Sequence, residues 1–188
     1  MRSYIRGFTL IELVLSLAIL AFLLVNLAAP LFSYRRTQME VGNMMTELQN
    51  SIAMARFSAI SENVMVTFCR SNDGQHCQGS WRDGNILFTD INADHALNGA
   101  DRLLFRNPAI KATGALSFNS FKNRQYLQLT PRGITNFQNG NFTFCPRDGD
   151  MQLARQLIVS FSGKTRMARD EDGDGIVENS QGKNVICN

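Results

Sequence analysis

Oxygen-bearing groups recur at alternate positions near the C-terminus, a spacing that suits the binding of a cation. The set comprises the side chains or, for the isoleucine, the backbone carbonyl of Asp170, Asp172, Asp174, Ile176 and Glu178. These residues occupy positions one, three, five, seven and nine of a calcium loop, with Gly175 at the sharp turn. The twelfth position, which normally holds a bidentate acid, is Gln181. The spacing predicts either a calcium site or a solvated acidic turn.

Three basic residues lie just before this stretch: Lys164, Arg166 and Arg169. Side chains two residues apart on a strand point to the same face, so Lys164 and Arg166 would form a pair able to contact phosphate groups. The acidic stretch that follows opposes this role. Charged side chains also protect the exposed edge of a sheet. Two hypotheses follow, a phosphate contact and a protected strand edge.

Groups suited to catalysis are scarce in this chain. Its two histidines, His76 and His95, lie in polar stretches typical of loops. The sequence has no nucleophile elbow, no HExxH motif and no P-loop. The net charge of +3 does not by itself indicate binding to a polyanion. We therefore predict that the protein is not an enzyme and needs no cofactor, calcium being the one candidate ion.

An apolar stretch near the N-terminus contains a single charged residue, Glu12. Residues 8–29 are long and apolar enough to cross a bilayer as a helix. The preceding residues include Arg2 and Arg6 and no acid, which predicts a cytoplasmic N-terminus and an exported C-terminal part. A cleaved signal peptide is the competing interpretation. Pro30 follows directly after Ala29, which makes a cleavage site there poor.

The position of Glu12 indicates a role in assembly. A carboxylate inside an apolar span is costly and is therefore a functional candidate. Cleavage between Gly7 and Phe8 would create a cationic amino group at Phe8. In surroundings of low dielectric constant, Glu12 of one subunit would attract that amino group on a neighbouring subunit. We therefore predict that Glu12 sets the register between subunits.

The four cysteines, Cys69, Cys77, Cys145 and Cys187, include no CxxC pair. This spacing disfavours a zinc site or a thioredoxin-like centre. We expect disulfides, which would place the globular part in an oxidising compartment. Four cysteines allow three pairings, and the sequence does not decide between them. We favour Cys69 with Cys77 and Cys145 with Cys187; the second ring would hold a C-terminal tail that lacks apolar anchors.

From residue 31 to about Ser61, apolar residues follow a helical period. They are Val41, Met44, Met45, Leu48, Ile52, Ala55 and Ala59. Short strands separated by turn residues are predicted beyond the helix, at 64–70, 85–89, 102–105, 115–119, 126–130, 142–145, 156–161, 164–168 and 185–187. The predicted class is α+β, in which a long N-terminal helix, half transmembrane and half amphipathic, packs on an antiparallel sheet.

The segment Arg6-Gly7-Phe8-Thr9-Leu10-Ile11-Glu12-Leu13 resembles the type IV prepilin signature. The resemblance implies that a prepilin peptidase cuts after Gly7 and that the new N-terminal Phe8 is methylated. It also implies an inner-membrane anchor with a periplasmic head, which later joins a filament. The domains implied are a leader at 1–7, a transmembrane and filament-core helix at 8–30, an amphipathic helix at 31–61 and a globular head at 62–188.

The head is similar to the GspH/FimT/FimU group of minor pilins in several segments: 79–90, 103–105, 144–147, 158–160 and 163–166. The resemblance implies the type IV pilin fold and a structural role in type IV pilus biogenesis, with the major pilin and other minor pilins as partners. The two cysteine pairs favour the pilus members, with secretion pseudopilin H as the alternative. Gly163-Lys164-Thr165-Arg166 also resembles the GRxR motif of FimT, which implies DNA binding during natural transformation, although Lys replaces the first Arg.

Overall fold

The computed structural model describes residues 7–187, except for the side chains of residues 27–31. The chain divides into two compact units, Met1–Gln38 and Met39–Asn188. Helix α1 (Leu10–Glu62) has residues in both units. Within the described residues, no helix has both the length and the apolar character that crossing a membrane requires.

In the second unit, α1 is amphipathic as the sequence predicts. The apolar residues at three- and four-residue spacing are all buried, with no more than 5% of their surface exposed: Val41, Met44, Met45, Leu48, Ile52, Ala55 and Ala59. The helix ends at Glu62, one residue beyond the predicted end. Asn63 follows with a φ of 55°, a left-handed conformation that asparagine tolerates at the end of a helix.

Among the described residues, eight strands form two antiparallel sheets, where the sequence predicts one sheet. In spatial order, sheet 1 contains β3 (Leu103–Asn107), β2 (Asn85–Thr89), β1 (Val66–Arg70) and β5 (Tyr126–Leu129). Sheet 2 contains β4 (Gly114–Ser120), β6 (Gly140–Pro146), β7 (Arg155–Val159) and β8 (Thr165–Met167). Short 3₁₀ turns occupy Phe121–Asn123 and Met151–Leu153.

The apolar pattern of the strands does not predict their division into two sheets. Alternating apolar residues locate a strand but do not identify its hydrogen-bonding partner. The consecutive strands β4 and β5 separate, because β5 pairs with β1 whereas β4 pairs with β6. The prediction of a single sheet is therefore wrong, although the strands themselves are mostly predicted correctly.

One apolar cluster contains residues of α1 and of both sheets. At its centre, the rings of Trp81 and Phe142 meet edge to face with centroids 4.8 Å apart, and Phe118 stacks on Phe142 at 4.3 Å. Phe68 of β1 lies 5.3 Å from the Trp81 ring. Aromatic pairs in such geometries stabilise a protein beyond the area that they bury. The two sheets and the second part of α1 therefore share a single core.

The C-terminal segment folds differently from the predicted strand at 185–187. It forms an isolated bridge between Glu178 and Asn184, and the Val185 amide donates to the Val177 carbonyl. Val177 and Val185 are only 6% and 3% exposed, and they pack with Ala154 in a small second cluster. The expectation that this tail lacks apolar anchors is wrong, because its turn brings Val177 and Val185 together against Ala154.

Two disulfides cross-link the second unit. Cys69 and Cys77 are joined across a sequence separation of 8, and Cys145 and Cys187 across a separation of 42. This pairing is the one favoured from the sequence. The longer ring connects the end of β6 to the last described residue, so that it holds the C-terminal segment against sheet 2.

Candidate functional site

The first turn of α1 positions Glu12. Thr9 precedes the helix, and its hydroxyl accepts a hydrogen bond from the Glu12 backbone amide at 3.4 Å. Threonine followed three residues later by glutamate is the signature of a capping box. A carboxylate in the first turn also interacts favourably with the helix dipole. The local sequence therefore both starts α1 and places the Glu12 carboxylate at its N-terminal end.

Apolar side chains surround Glu12 along the chain. Every described residue from 7 to 26 is exposed, and the large apolar side chains among them keep between 49% and 82% of their surface accessible. An exposed apolar surface of this extent marks a site of contact with protein or membrane. Glu12 is the one charged residue in residues 7–26, so any apolar surroundings that cover this surface must also accommodate its carboxylate.

The two residues of the predicted cleavage site lie before the helix. Phe8 is 79% exposed, and, apart from the chain neighbours of Gly7, no atom of the described residues lies within 4 Å of the position that a Cβ on Gly7 would occupy. The rest of the predicted leader, residues 1–6, lies outside the described residues. Cleavage after Gly7 and methylation of Phe8 stay predictions.

Four carboxylates of the predicted calcium loop converge in the second unit: Asp170, Asp172, Asp174 and Glu178. One oxygen atom from each lies within 4.8 Å of the other three. The loop is shaped by its own backbone, since Asp170 accepts hydrogen bonds from the amides of Gly173 and Gly175. The aspartates are exposed, whereas Glu178 is buried. The structure thus assembles the carboxylates that the sequence singles out.

The three predicted phosphate-contacting residues are exposed at the edge of sheet 2. Arg166 lies on β8, which is an edge strand, and Lys164 immediately precedes this strand. Arg169 follows the strand and is also exposed. No salt bridge in the described part of the chain involves any of them. This position suits the protection of a sheet edge as well as a contact with phosphate, and DNA binding stays a prediction.

Each of the two histidines contacts the side chain of another residue. The Nδ1 atom of His76 lies 2.6 Å from Oδ2 of Asp73, and this hydrogen bond holds the pKa of Asp73 well below its usual range. The ring of His95 lies against Tyr126 with centroids 4.0 Å apart. Each histidine therefore contributes to the structure of a loop.

A polar groove that the sequence did not reveal lies between sheet 2 and residues 179–186. Its volume is about 570 Å³, and Asn141, Thr143 and Gln156 lie on its sheet side. The Nε2 atom of Gln156 donates to Thr143, but the buried Oε1 atom has no hydrogen-bond partner in the described residues. The sequence feature that could have indicated this groove is the polar residue at every second position of β4 and β6, since these residues share the outer face of the sheet.

The family of the chain is established by its sequence. The model of the type II transport protein GspH matches residues 45–163. The chain belongs to the GspH family. The prokaryotic N-terminal methylation motif matches residues 2–25 of this GspH-family chain. It is therefore a minor pilin or pseudopilin of the type IV pilus or type II secretion class, and its N-terminus is of the kind found in membrane-anchored pilus proteins. GspH-family members are structural pilins.

Solved structures show the same fold. The type IV minor pilin FimU of Pseudomonas aeruginosa (strain PAO1) matches with a TM-score of 0.55 and 19% identity, covering 73% of this chain and 92% of FimU. The minor pseudopilin EpsH from the type II secretion system of Vibrio cholerae matches with a TM-score of 0.51 and 10% identity, covering 73% of this chain and 99% of EpsH. No curated protein matches the sequence. The predicted type IV pilin fold is confirmed.

Proposed function

We propose that this GspH-family chain is a minor pilin that takes part in type IV pilus biogenesis within a tip or initiation complex. A prepilin peptidase removes residues 1–7, and Phe8 is then methylated. Residues 8–30 hold the subunit in the inner membrane with its head, residues 62–188, in the periplasm. The same apolar helix then packs against the helices of other minor pilins and the major pilin.

The observation that carries this proposal is the exposed apolar surface of residues 7–26 with Glu12 as its one charged group. Such a surface is suited first to lipid and then to neighbouring helices. In an apolar filament core, the Glu12 carboxylate needs a partner, and the amino group of a neighbouring Phe8 supplies one. Glu12 thereby selects the axial register in which each new subunit is added.

Replacing Glu12 with alanine is expected to remove the subunit from the filament. Breaking a buried ion pair by deleting one partner typically costs about 3–5 kcal/mol, so filament incorporation should fall at least about tenfold. The measurement compares the amount of the protein in sheared pili with the amount left in the membrane fraction. Both fractions are quantified with an antibody against the head.

A matched control is Glu47→Ala, which makes the same replacement at an exposed position of the same helix. This variant should enter pili as the wild type does. Normal incorporation of Glu12→Ala, or an equal defect in both variants, would show that pairing of the Glu12 charge does not drive assembly.

Assembly into a type II secretion pseudopilus is the second candidate, because EpsH shares the fold about as closely as FimU does. The two disulfides support assembly into a pilus, because two cysteine pairs resemble the pilus members of the group. Deleting the gene distinguishes the two machines: loss of surface pili with normal protein secretion supports the pilus, and the opposite result supports the secretion system.

A further inference from the structure

Glu178 carries a buried oxygen atom that accepts no hydrogen bond from the part of the chain that the structure describes. The residue is 6% exposed. Its Oε2 atom accepts a hydrogen bond from the Glu171 amide at 2.7 Å, but Oε1 has no partner in the described residues. A buried carboxylate is costly unless its oxygens are paired with donors or with a cation. The groups around this carboxylate indicate whether a hydrogen-bond donor or a cation would pair with Oε1.

The carboxylates around Glu178 point to a cation. Oxygens of Asp170, Asp172 and Asp174 lie within 4.8 Å of the Glu178 carboxylate and of one another. Like charges so close together repel strongly. In the part of the chain that the structure describes, no lysine, arginine or histidine forms a salt bridge with any of the four. A bound cation would satisfy Glu178 and offset the repulsion between all four groups.

A second acidic cluster in the same chain needs no such ion. Asp90, Asp94 and Asp101 also lie within 4.8 Å of one another, yet each of their carboxylate oxygens accepts a hydrogen bond. The buried Asp90 accepts from Thr67 at 2.6 Å and from Gln128 at 2.8 Å. The Asn98 side chain donates to Asp94 and lowers the pKa of its carboxyl group. Acidic residues alone therefore do not define the site; the Oε1 atom of Glu178, which has no partner in the described residues, does.

We propose that a calcium ion is bound by Asp170, Asp172, Asp174, the Ile176 carbonyl and Glu178. All of these ligands are oxygens, which excludes metals that prefer histidine or cysteine. Calcium accepts an irregular set of carboxylates and carbonyls, whereas magnesium requires a regular octahedron and keeps most of its waters. Because Gln181 replaces the usual bidentate acid, the affinity belongs in the range of extracellular calcium modules, a dissociation constant of about 10⁻⁴ to 10⁻³ M.

A calcium ion at this site would also order one wall of the polar groove. The Asn184 side chain donates to Oδ2 of Asp174 at 2.6 Å, and Asn184 lines the groove together with residues on either side of it. The β-bridge between Glu178 and Asn184 also connects the acidic loop to the wall of the groove, through the backbone. An ion that holds Asp174 and Glu178 therefore orders the wall of the groove formed by residues 179–186.

The test is calorimetric titration of the full chain, purified in detergent and freed of metal with EGTA, with calcium chloride and then with magnesium chloride. We expect calcium to bind in the range given above, to raise the melting temperature, and to bind more tightly than magnesium. Asp172→Asn should weaken calcium binding about tenfold or more, since even contacts outside the ligand shell change metal affinities about 10- to 100-fold. Asp172 is exposed, so this variant should fold normally.

Asp94→Asn is the matched control, because it makes the same change in the acidic cluster that is already satisfied. It should leave the affinity for calcium unchanged. Glu178→Gln should abolish the increase in melting temperature caused by calcium. The proposal is overturned if calcium at about tenfold above the stated range neither binds nor raises the melting temperature, or if Asp94→Asn weakens binding as much as Asp172→Asn does. The result does not depend on the assembly role of Glu12, because no filament is involved.

Discussion

Replacing Cys145 and Cys187 together with serine will lower the free energy of unfolding by about 4 kcal/mol. The bond closes a ring with a sequence separation of 42, and a cross-link of this length removes much of the conformational freedom of the unfolded chain. Changing both residues avoids leaving a reactive thiol. The measurement is denaturant unfolding of the purified full chain under non-reducing conditions.

The second disulfide provides the comparison. The ring between Cys69 and Cys77 has a separation of only 8, so the same double replacement there should cost about 2.5 kcal/mol. The order of the two effects matters more than either value. An equal or larger loss from the short ring would contradict the view that the long ring is the main covalent restraint on the head.

Phe142→Ala is expected to lower the free energy of unfolding by about 3–5 kcal/mol. Phe142 is completely buried, and its ring contacts Trp81, Phe118 and Phe68. Removing it leaves a cavity where the two sheets meet in the shared core. Trp81 is the one tryptophan of the chain, so unfolding followed by its fluorescence reports directly on the affected cluster.

Phe161→Ala is the matched control for this change. The side chain of Phe161 is 51% exposed, and its replacement should alter the free energy of unfolding by no more than about 0.5 kcal/mol. A loss below about 1 kcal/mol for Phe142→Ala would show that the core is loosely packed and would contradict the contacts described above.

Much of the fold can be predicted from the sequence because local periodicity determines it. The buried face of α1 follows from apolar residues such as Val41, Leu48 and Ile52, whose spacing leaves only one helix face able to pack. The pairing of strands is not local. The separation of β4 from β5 depends on which distant strands pair with each of them, β6 with β4 and β1 with β5.

The candidate sites also contain local features, which the sequence predicts, and non-local features, which it does not. Glu12 and the carboxylates of the loop that begins at Asp170 are recognisable because their spacing along the chain carries the information. The unpartnered oxygens of Glu178 and Gln156 could not be predicted, because they depend on how completely other segments cover them. Asp90 shows the reverse: its acidic sequence resembles a cation site, but Thr67 and Gln128, which are distant in sequence, already satisfy its carboxylate.

Intact mass of the protein extracted from membranes tests directly whether the chain is processed as a pilin. We expect a chain that has lost residues 1–7 and gained one methyl group on Phe8, whereas Gly7→Ala should keep the leader. Removal of residues 1–7 would leave the apolar segment and Glu12 on the mature subunit, as assembly requires. Cleavage near Ala29 would contradict assembly through the N-terminal helix, because the mature protein would then lack both the apolar surface and Glu12.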